Sequence, residues 1–591
     1  MVVASKNHVN QVVSVAAQRD DARVTFTDVG IFSGPIGTPL MEYVKVAFPP
    51  DHPEQPVIAA LVDSDLRELT FPIERDVTVR PVNLLSSDGH RIYRRSLVFL
   101  MTTAAAEVLP GVKIEVMHSL TSGGFYCEAL KRPNFSEDEL ALIRTRMREI
   151  VAEDAPIVRK HMPLEEARAM FKARGDDDKV RLLEFREKEY LTVYSLRDNL
   201  DYFFGYMAAS TGVLRLFDLF TTGQGFILQY PRPEAPSSLS PYKESKQLES
   251  IFLQTEKWLD VMGIEDVGQL NEAIKGGRIR EEILVAEALQ TRHLSEIAAA
   301  IAERHAQGTR LVLIAGPSSA GKTTFSKRLA VQLMAYGIQP YALGMDNYFV
   351  DREFTPRDSN GEYDFEALEA LDLKRLNRDL LNLMQRQPVQ LPCFDFRLGK
   401  SLPGDVITLT DDHIIIAEGI HGMNPDLIKE VPHERAFRVY VSALTALNID
   451  RHNRIPTTDV RLIRRIVRDA RHRGYNATDT LDRWESVRRG EKRNIFPYQE
   501  HADIMFNSSL IYELAVLRPL VEPLLLQVDR TSPRYVEVKR LLAFLGWVRP
   551  ASMDYVPGDS LLREFIGQSV LEDYVPGLRQ NGIKPLHSQS S

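Results

Sequence analysis

LVLIAGPSSAGKTTFSKRLAVQLMAYG, residues 311–337, is the stretch on which the fold turns. The apolar run Leu311–Ala315 reads as a buried strand, and the amphipathic run that stops near Gly337 reads as a helix. Between them, Gly316-Pro317-Ser318-Ser319-Ala320-Gly321-Lys322-Thr323 fits G-x-x-x-x-G-K-[ST] in the strand–loop–helix setting that the pattern requires. Glycines let backbone wrap a phosphate, while successive N–H groups and the helix N-terminus present partial positive charge. Gly316, Ser318, Ser319, Ala320, Gly321, Lys322, Thr323 and Thr324 are therefore expected to hold ATP. Lys322 would reach the β- and γ-phosphates, and the Thr323 hydroxyl would ligate Mg²⁺.

Strands alternate with helices from about 310 to 530, the pattern of a parallel sheet with crossover helices. PYALGM (340–345) reads as a second strand ending at Asp346. Ligands in open α/β sheets bind beyond the carboxyl ends of the strands, where Asp346 could accept a proton from an attacking hydroxyl; a turn or helix-capping Asp is the structural alternative. HIIIAEGIHG (413–422) reads as a third strand ending at Glu418, placed like a carboxylate that orders Mg²⁺. In DVRLIRRIVRDARHRG (459–474), Arg461, Arg464, Arg465 and Arg468 recur at i, i+3, i+4 and i+7 and share one helix face. Residues 451–500 carry 13 Lys+Arg against 7 Asp+Glu, a local +6 that leaves −14 for the rest of a chain whose total is −8. A solvated basic face or nucleic-acid binding would also use such a run. In this sheet context we expect the guanidiniums to close over a transferring phosphoryl group.

At roughly 150 residues per domain, 591 residues suggest about four domains. With 44% hydrophobic and 26% charged residues, the composition excludes a mostly disordered chain, and the mild net charge argues against a surface built wholly for polyanions. Two cysteines, Cys127 and Cys393, provide neither a disulfide framework nor a cysteine zinc site, which suits a reducing compartment. No apolar run reaches the ~20 residues of a membrane helix, and the N-terminus lacks a secretory core. A cytoplasmic protein without membrane contact is expected, with an organellar presequence left as an alternative. An oligomer is compatible with the sequence.

Residues 1–42 are mixed and read as an extension. Short strand-like pieces separated by Pro and Asp make 43–92 a small β-rich module. Residues 93–235 mix strands with a long helix whose start carries a capping box, Ser136 and Glu139. PRPEAPSSLSP (231–241) reads as a linker, 236–306 as a helical connector, 307–530 as the α/β unit and 531–591 as a C-terminal tail ending in polar HSQSS.

With GPSSAGKTT, DNYF, YDFEAL (363–368), VQLPCFDF (389–396), IIIAEGIHG and RLIRRIVRDARHRG in order, positions 310–525 resemble the uridine kinase and phosphoribulokinase family of P-loop kinases. The resemblance implies a parallel sheet with a helical lid. It makes Asp346 the catalytic base and Asp364 the ligand of the acceptor ribose, and puts Arg465, Arg468 and Arg473 on the phosphates as lid arginines. Lys322 and Arg468 would act in catalysis, with Arg468 also touching substrate. Three positions depart from the uridine kinase pattern: a base-reading His is replaced by Gly399, a Tyr by Phe394 in the acceptor site, and the lid's RGR by Arg473-Gly474-Tyr475. These changes leave phosphoryl transfer in place and put pyrimidine selectivity in doubt.

In the front half, IYRRSLVFLM, HSLTSGGFYCEA and NFSEDELALIRTRMREIVAEDAPIVRKHMP make 93–230 resemble the second additional (editing) domain of threonyl-tRNA synthetase, and 43–92 resemble a TGS module, a β-grasp fold. The synthetase's paired HxxxH positions read Arg95 and Phe99, and its later Cys and His are missing from LDYFFGYMAASTG, so editing chemistry is not expected. The arrangement, including VPGDSLLREFIGQS (556–569), is similar to nucleoside kinases that carry a synthetase-like N-terminal half. The expected architecture is therefore multidomain α/β and α+β. Three readings follow. The first is ATP-dependent phosphorylation of a nucleoside ribose 5′-hydroxyl. The second is an RNA- or tRNA-linked regulatory nucleotide-binding protein, with contact through the N-terminal half. The third is a sugar-phosphate kinase of the phosphoribulokinase type.

Overall fold

A computed structural model describes residues 19–576, apart from 50, 51, 53–55, 224, 358–360, 362, 396 and 446. The far ends of the extension and of the polar tail, and Phe396 of VQLPCFDF, lie outside the described residues. No helix among the described residues is long and apolar enough to cross a membrane.

The first unit is a five-stranded mixed sheet in the order Gly30–Pro35, Asp21–Phe26, Val77–Asn83, Val57–Val62, Asp65–Glu68, with the helix Leu40–Ala47 packed on it. Asp21–Phe26 and Val77–Asn83 run parallel at its centre. Alternation in DARVTF buries Val24 and Phe26 while Arg23 faces outward. The hairpin at 21–35 thus belongs to this sheet, so the unit starts near residue 21 rather than 43. Its polar outer face hid the alternation in the sequence.

The second unit packs the 22-residue helix Ser87–Val108 and the helix Glu137–Ala152 against a four-stranded antiparallel sheet. The expected capping box forms: Ser136 accepts from the Glu139 N–H, and Glu139 accepts from the Ser136 N–H. On the first of these helices Arg95 donates to the Tyr206 carbonyl, and Phe99 is buried against Phe203 with ring centroids 5.0 Å apart.

In the C-terminal unit five parallel strands stand in the order Gln339–Gly344, His413–Glu418, Leu311–Ala315, Ala436–Ser442, Ile504–Asn507. All five residues of Leu311–Ala315 are buried, as an apolar run between two helical layers must be. At roughly 1.5–3 kcal/mol for each large aliphatic side chain, this strand anchors the loop that follows it. One layer includes Phe325 and Leu329 of the helix Lys322–Ala335, together with Leu294, Ile297 and Ile301 of the 28-residue helix Ile279–Ala306. The C-terminal end of the expected connector is therefore a layer of the sheet unit.

The residues read as a tail are also core. Leu541 and Phe544 of the helix Tyr535–Leu545, and Leu562, Phe565 and Ile566, are buried in one cluster with Ile463 and Ile466 of the helix Thr457–His472 and Phe171 of the second unit. Their apolar spacing is too short to advertise burial; only docking against distant elements supplies it.

Candidate active site

The loop 316–324 lies at the carboxyl end of the central strand. Gly316 has φ +155, and a Cβ there would meet the Val441 carbonyl oxygen at 1.9 Å, so the neighbouring strand demands glycine. The Lys322 ammonium donates to the Pro317 carbonyl at 3.2 Å. The Thr323 hydroxyl donates to Glu418 Oε1 at 3.1 Å, so the two expected metal ligands stand side by side. Asp346 sits on the single turn Met345–Tyr348 just past the strand Gln339–Gly344. Burial raises its pKa and the Lys322 charge opposes the rise. Glu418 is likewise raised by burial and held back by Lys322, with Asp346 near enough to add to the rise. Lys322 is itself lowered by burial, against the pull of Glu418 and Glu564. The structure thus brings Lys322, Thr323, Asp346 and Glu418 into one electrostatic cluster, with Lys322 and Glu418 half-buried and Thr323 and Asp346 open to solvent.

The helix Thr457–His472 divides its arginines. Arg465 donates to the Ser318 hydroxyl at 2.8 Å. Arg465, Arg468 and Arg473 converge on Asp469 at 3.2, 2.8 and 3.8 Å, forming a cationic group beside the loop. Arg461 and Arg464 do not join it. Both are buried, ion-paired to Glu491 and Glu513, and they donate to the carbonyls of Ser318 and Ser319 at 2.8 and 3.4 Å. They share the face turned to the loop, as the spacing implies, but brace its carbonyls from buried ion pairs instead of joining the group on Asp469.

Two carboxylates at the loop had no signal in the sequence. The Ser318 N–H donates to Glu491 at 3.0 Å, and the Thr324 N–H donates to Glu564 at 3.2 Å. Each comes from an element far along the chain, which local pattern cannot connect to the loop.

Asp364 accepts from Arg493 of the helix Ala477–Asn494 and from the Glu366 N–H at 3.2 Å. Among the described residues Asp364 makes no hydrogen bond or ion pair with the loop. Glu366, half-buried and near Glu491 and Asp364, is raised to about 7 by desolvation and by those two like charges. Phe394 is buried, with its ring 5.6 Å from Phe349, which in turn lies 6.2 Å from Phe365; Tyr363 follows at 6.0 Å from Phe365. The four rings therefore form one contiguous row. Gly399 has φ +67, and a Cβ there would meet the Arg352 side chain at 2.8 Å. The positive φ would strain a side chain at this position, and Arg352 would have to shift to admit one.

Oxygen donors such as Thr323 and Glu418 fit a hard cation like Mg²⁺, which takes few protein ligands and completes its shell with phosphate and water. Among the described residues no group of three or more His, Cys, Asp and Glu gathers for a metal ion.

Residues 311–512 match the model of the Phosphoribulokinase / Uridine kinase family, and that match assigns the C-terminal region to the P-loop kinases. The N-terminal half matches threonine–tRNA ligases. That of Symbiobacterium thermophilum is 30% identical over 204 residues, 34% of this chain and 31% of that protein. That of Halorhodospira halophila is 34% identical over 163 residues, 27% of this chain and 25% of that protein. The chain thus spans less than a third of the length of these relatives. Among solved structures, a putative fructose transport system kinase from Silicibacter sp. TM1040 is 19% identical, covering 36% of this chain and 98% of that one with a TM-score of 0.25. A possible uridine kinase from Bacillus stearothermophilus is 21% identical, covering 34% and 89% with a TM-score of 0.21.

Proposed function

We propose that this chain transfers the γ-phosphoryl group of ATP to the ribose 5′-hydroxyl of a nucleoside. The observation that carries the reading is Asp346, a solvent-accessible carboxylate at a strand's carboxyl end within the field of the loop lysine. In this reading the triphosphate lies along the loop amides, and Asp346 accepts the proton of the attacking hydroxyl. Lys322 and the group Arg465, Arg468 and Arg473 stabilise charge on the transferring oxygens, and helix-mounted lid arginines keep that geometry fixed. Thr323 and Glu418 would hold Mg²⁺, which when bound supplies charge neutralisation at the phosphate oxygens.

Asp364 would hold the sugar, and the rings of Phe394, Phe349, Phe365 and Tyr363 favour a flat acceptor base over a bare sugar phosphate. Position 399 cannot supply a base-reading side chain, so selectivity for the base has to come from elsewhere in the cleft. Asp346→Asn tests the reading: phosphoryl transfer should fall by three orders of magnitude or so, while nucleotide affinity measured by calorimetry stays within about twofold. Normal turnover would remove Asp346 from the role.

The synthetase matches favour a second role for the N-terminal half, contact with RNA. Binding of RNA to the whole chain with affinity falling steeply as salt rises would support it.

A further inference from the structure

The segment 556–574 runs back across the loop and along the helix Lys322–Ala335. Leu561 lies 3.7 Å from where a Cβ on Gly321 would stand. Phe565 lies under the Arg464 guanidinium, 5.0 Å from its ring centre. The Lys327 ammonium donates to the carbonyls of Leu571 and Glu572 at 2.7 and 2.8 Å, and the Tyr574 hydroxyl meets the Met334 sulfur at 3.8 Å. With Leu561, Leu562, Phe565 and Ile566 all buried, the segment is a built part of the fold.

From this platform Glu564 reaches the Thr324 N–H at 3.2 Å. That amide opens the helix and belongs to the set that a nucleotide phosphate would use. The carboxylate is an anion at an anion site, and its charge is felt by Lys322, Glu418 and Arg473. It differs from the other carboxylate on the loop. Glu491 is locked by the buried Arg461, whereas Glu564 forms no ion pair among the described residues and can leave the amide by rotating its side chain. A phosphate and Glu564 cannot share one donor, and their like charges repel.

We propose that Glu564 is a residue of the nucleotide site that acts as an internal ligand: it occupies the Thr324 amide until a nucleotide phosphate displaces it, and so sets nucleotide affinity. The inference rests on the reading above that the loop binds a nucleotide. Lys327 is the positioning residue, since it holds the segment at 571–572 without touching the amide.

The test is calorimetric titration of the full chain with ADP·Mg²⁺ and a non-hydrolysable ATP analogue, comparing wild type, Glu564→Gln, Lys327→Ala and Lys322→Ala. Glu564→Gln should bind about two- to fivefold more tightly, the effect of one anion removed from a helix N-terminus, and Lys327→Ala, which frees the segment that carries Glu564, should shift affinity in the same direction. Lys322→Ala should bind more weakly. If wild type binds nucleotide but Glu564→Gln binds equally or less well, the inference is overturned while the nucleotide reading stands. If neither wild type nor either tightening variant binds nucleotide, the reading of the loop fails and the inference fails with it. Should Glu564→Gln not fold, Lys327→Ala decides by the same criterion.

Discussion

Burial acts on Asp346 and Lys322 in opposite directions. It favours the neutral form of each, raising the carboxyl and lowering the ammonium, and their mutual attraction only partly offsets it. A base must be deprotonated and a phosphate-binding lysine protonated, so the active form exists between the two titrations. The kcat profile should be bell-shaped, with an acid limb above the ordinary Asp value of about 3.9 and a basic limb below the ordinary Lys value of about 10.4. An acid limb at the ordinary carboxylate position would contradict the placement of Asp346. At this scale the sequence was informative: the loop glycines, Lys322, Thr323, Asp346 and Glu418 are legible because each follows directly from a strand. Glu491 and Glu564 were not, because nothing near them in sequence shows which amide they will meet.

The helix Thr457–His472 shows where periodicity stops being sufficient. Spacing puts Arg461, Arg464, Arg465 and Arg468 on one side, but a guanidinium's role depends on which carboxylate it finds. Arg461 and Arg464 find Glu491 and Glu513, 30 and 49 residues further along, and are drawn into the core. The two kinds of arginine should separate on mutation. Arg461→Ala leaves Glu491 buried without its partner and should cost about 3–5 kcal/mol, visible as a large drop in Tm. Arg468→Ala should leave Tm nearly unchanged and lower kcat by about a hundredfold, as loss of a transition-state donor does. If Arg461→Ala kept full stability, the brace would not be one. The expected capping box at Ser136 formed because its partners are three residues apart, whereas the hairpin at 21–35 and the helix Tyr535–Leu545 needed distant partners to reveal them.

Across the whole molecule, the local +6 of residues 451–500 is not all aimed at phosphate. Arg451 pairs with Asp176 and Asp178 of the synthetase-like half at 2.8 and 2.6 Å, Lys492 with Glu234, and Arg493 with Asp364. The Val116 N–H also donates to the Arg451 carbonyl at 2.9 Å, so the two halves are joined by buried polar contacts just ahead of the arginine-bearing helix. Burial raises the pKa of Asp178, but Arg451 and Lys179 outweigh it and bring it down to about 2. A depressed carboxylate stabilises the fold above its unfolded pKa near 3.9, and that contribution is lost as pH falls through about 2. Asp178→Asn should therefore lower stability by about 2 kcal/mol at pH 6, with the difference closing as pH approaches 2. Thermal unfolding across that range checks it; a gap independent of pH would contradict the pairing.

The central claim, phosphoryl transfer to a nucleoside hydroxyl, is tested most directly by one incubation series. The full chain with γ-labelled ATP and Mg²⁺ is offered a panel of nucleosides beside a panel of sugar phosphates, and the labelled products are separated and identified. The account predicts label on the 5′-oxygen of at least one nucleoside, none on the sugar phosphates, and none on any acceptor with Asp346→Asn. Label on a sugar phosphate alone, or transfer to no acceptor by a chain that binds ATP, would contradict it.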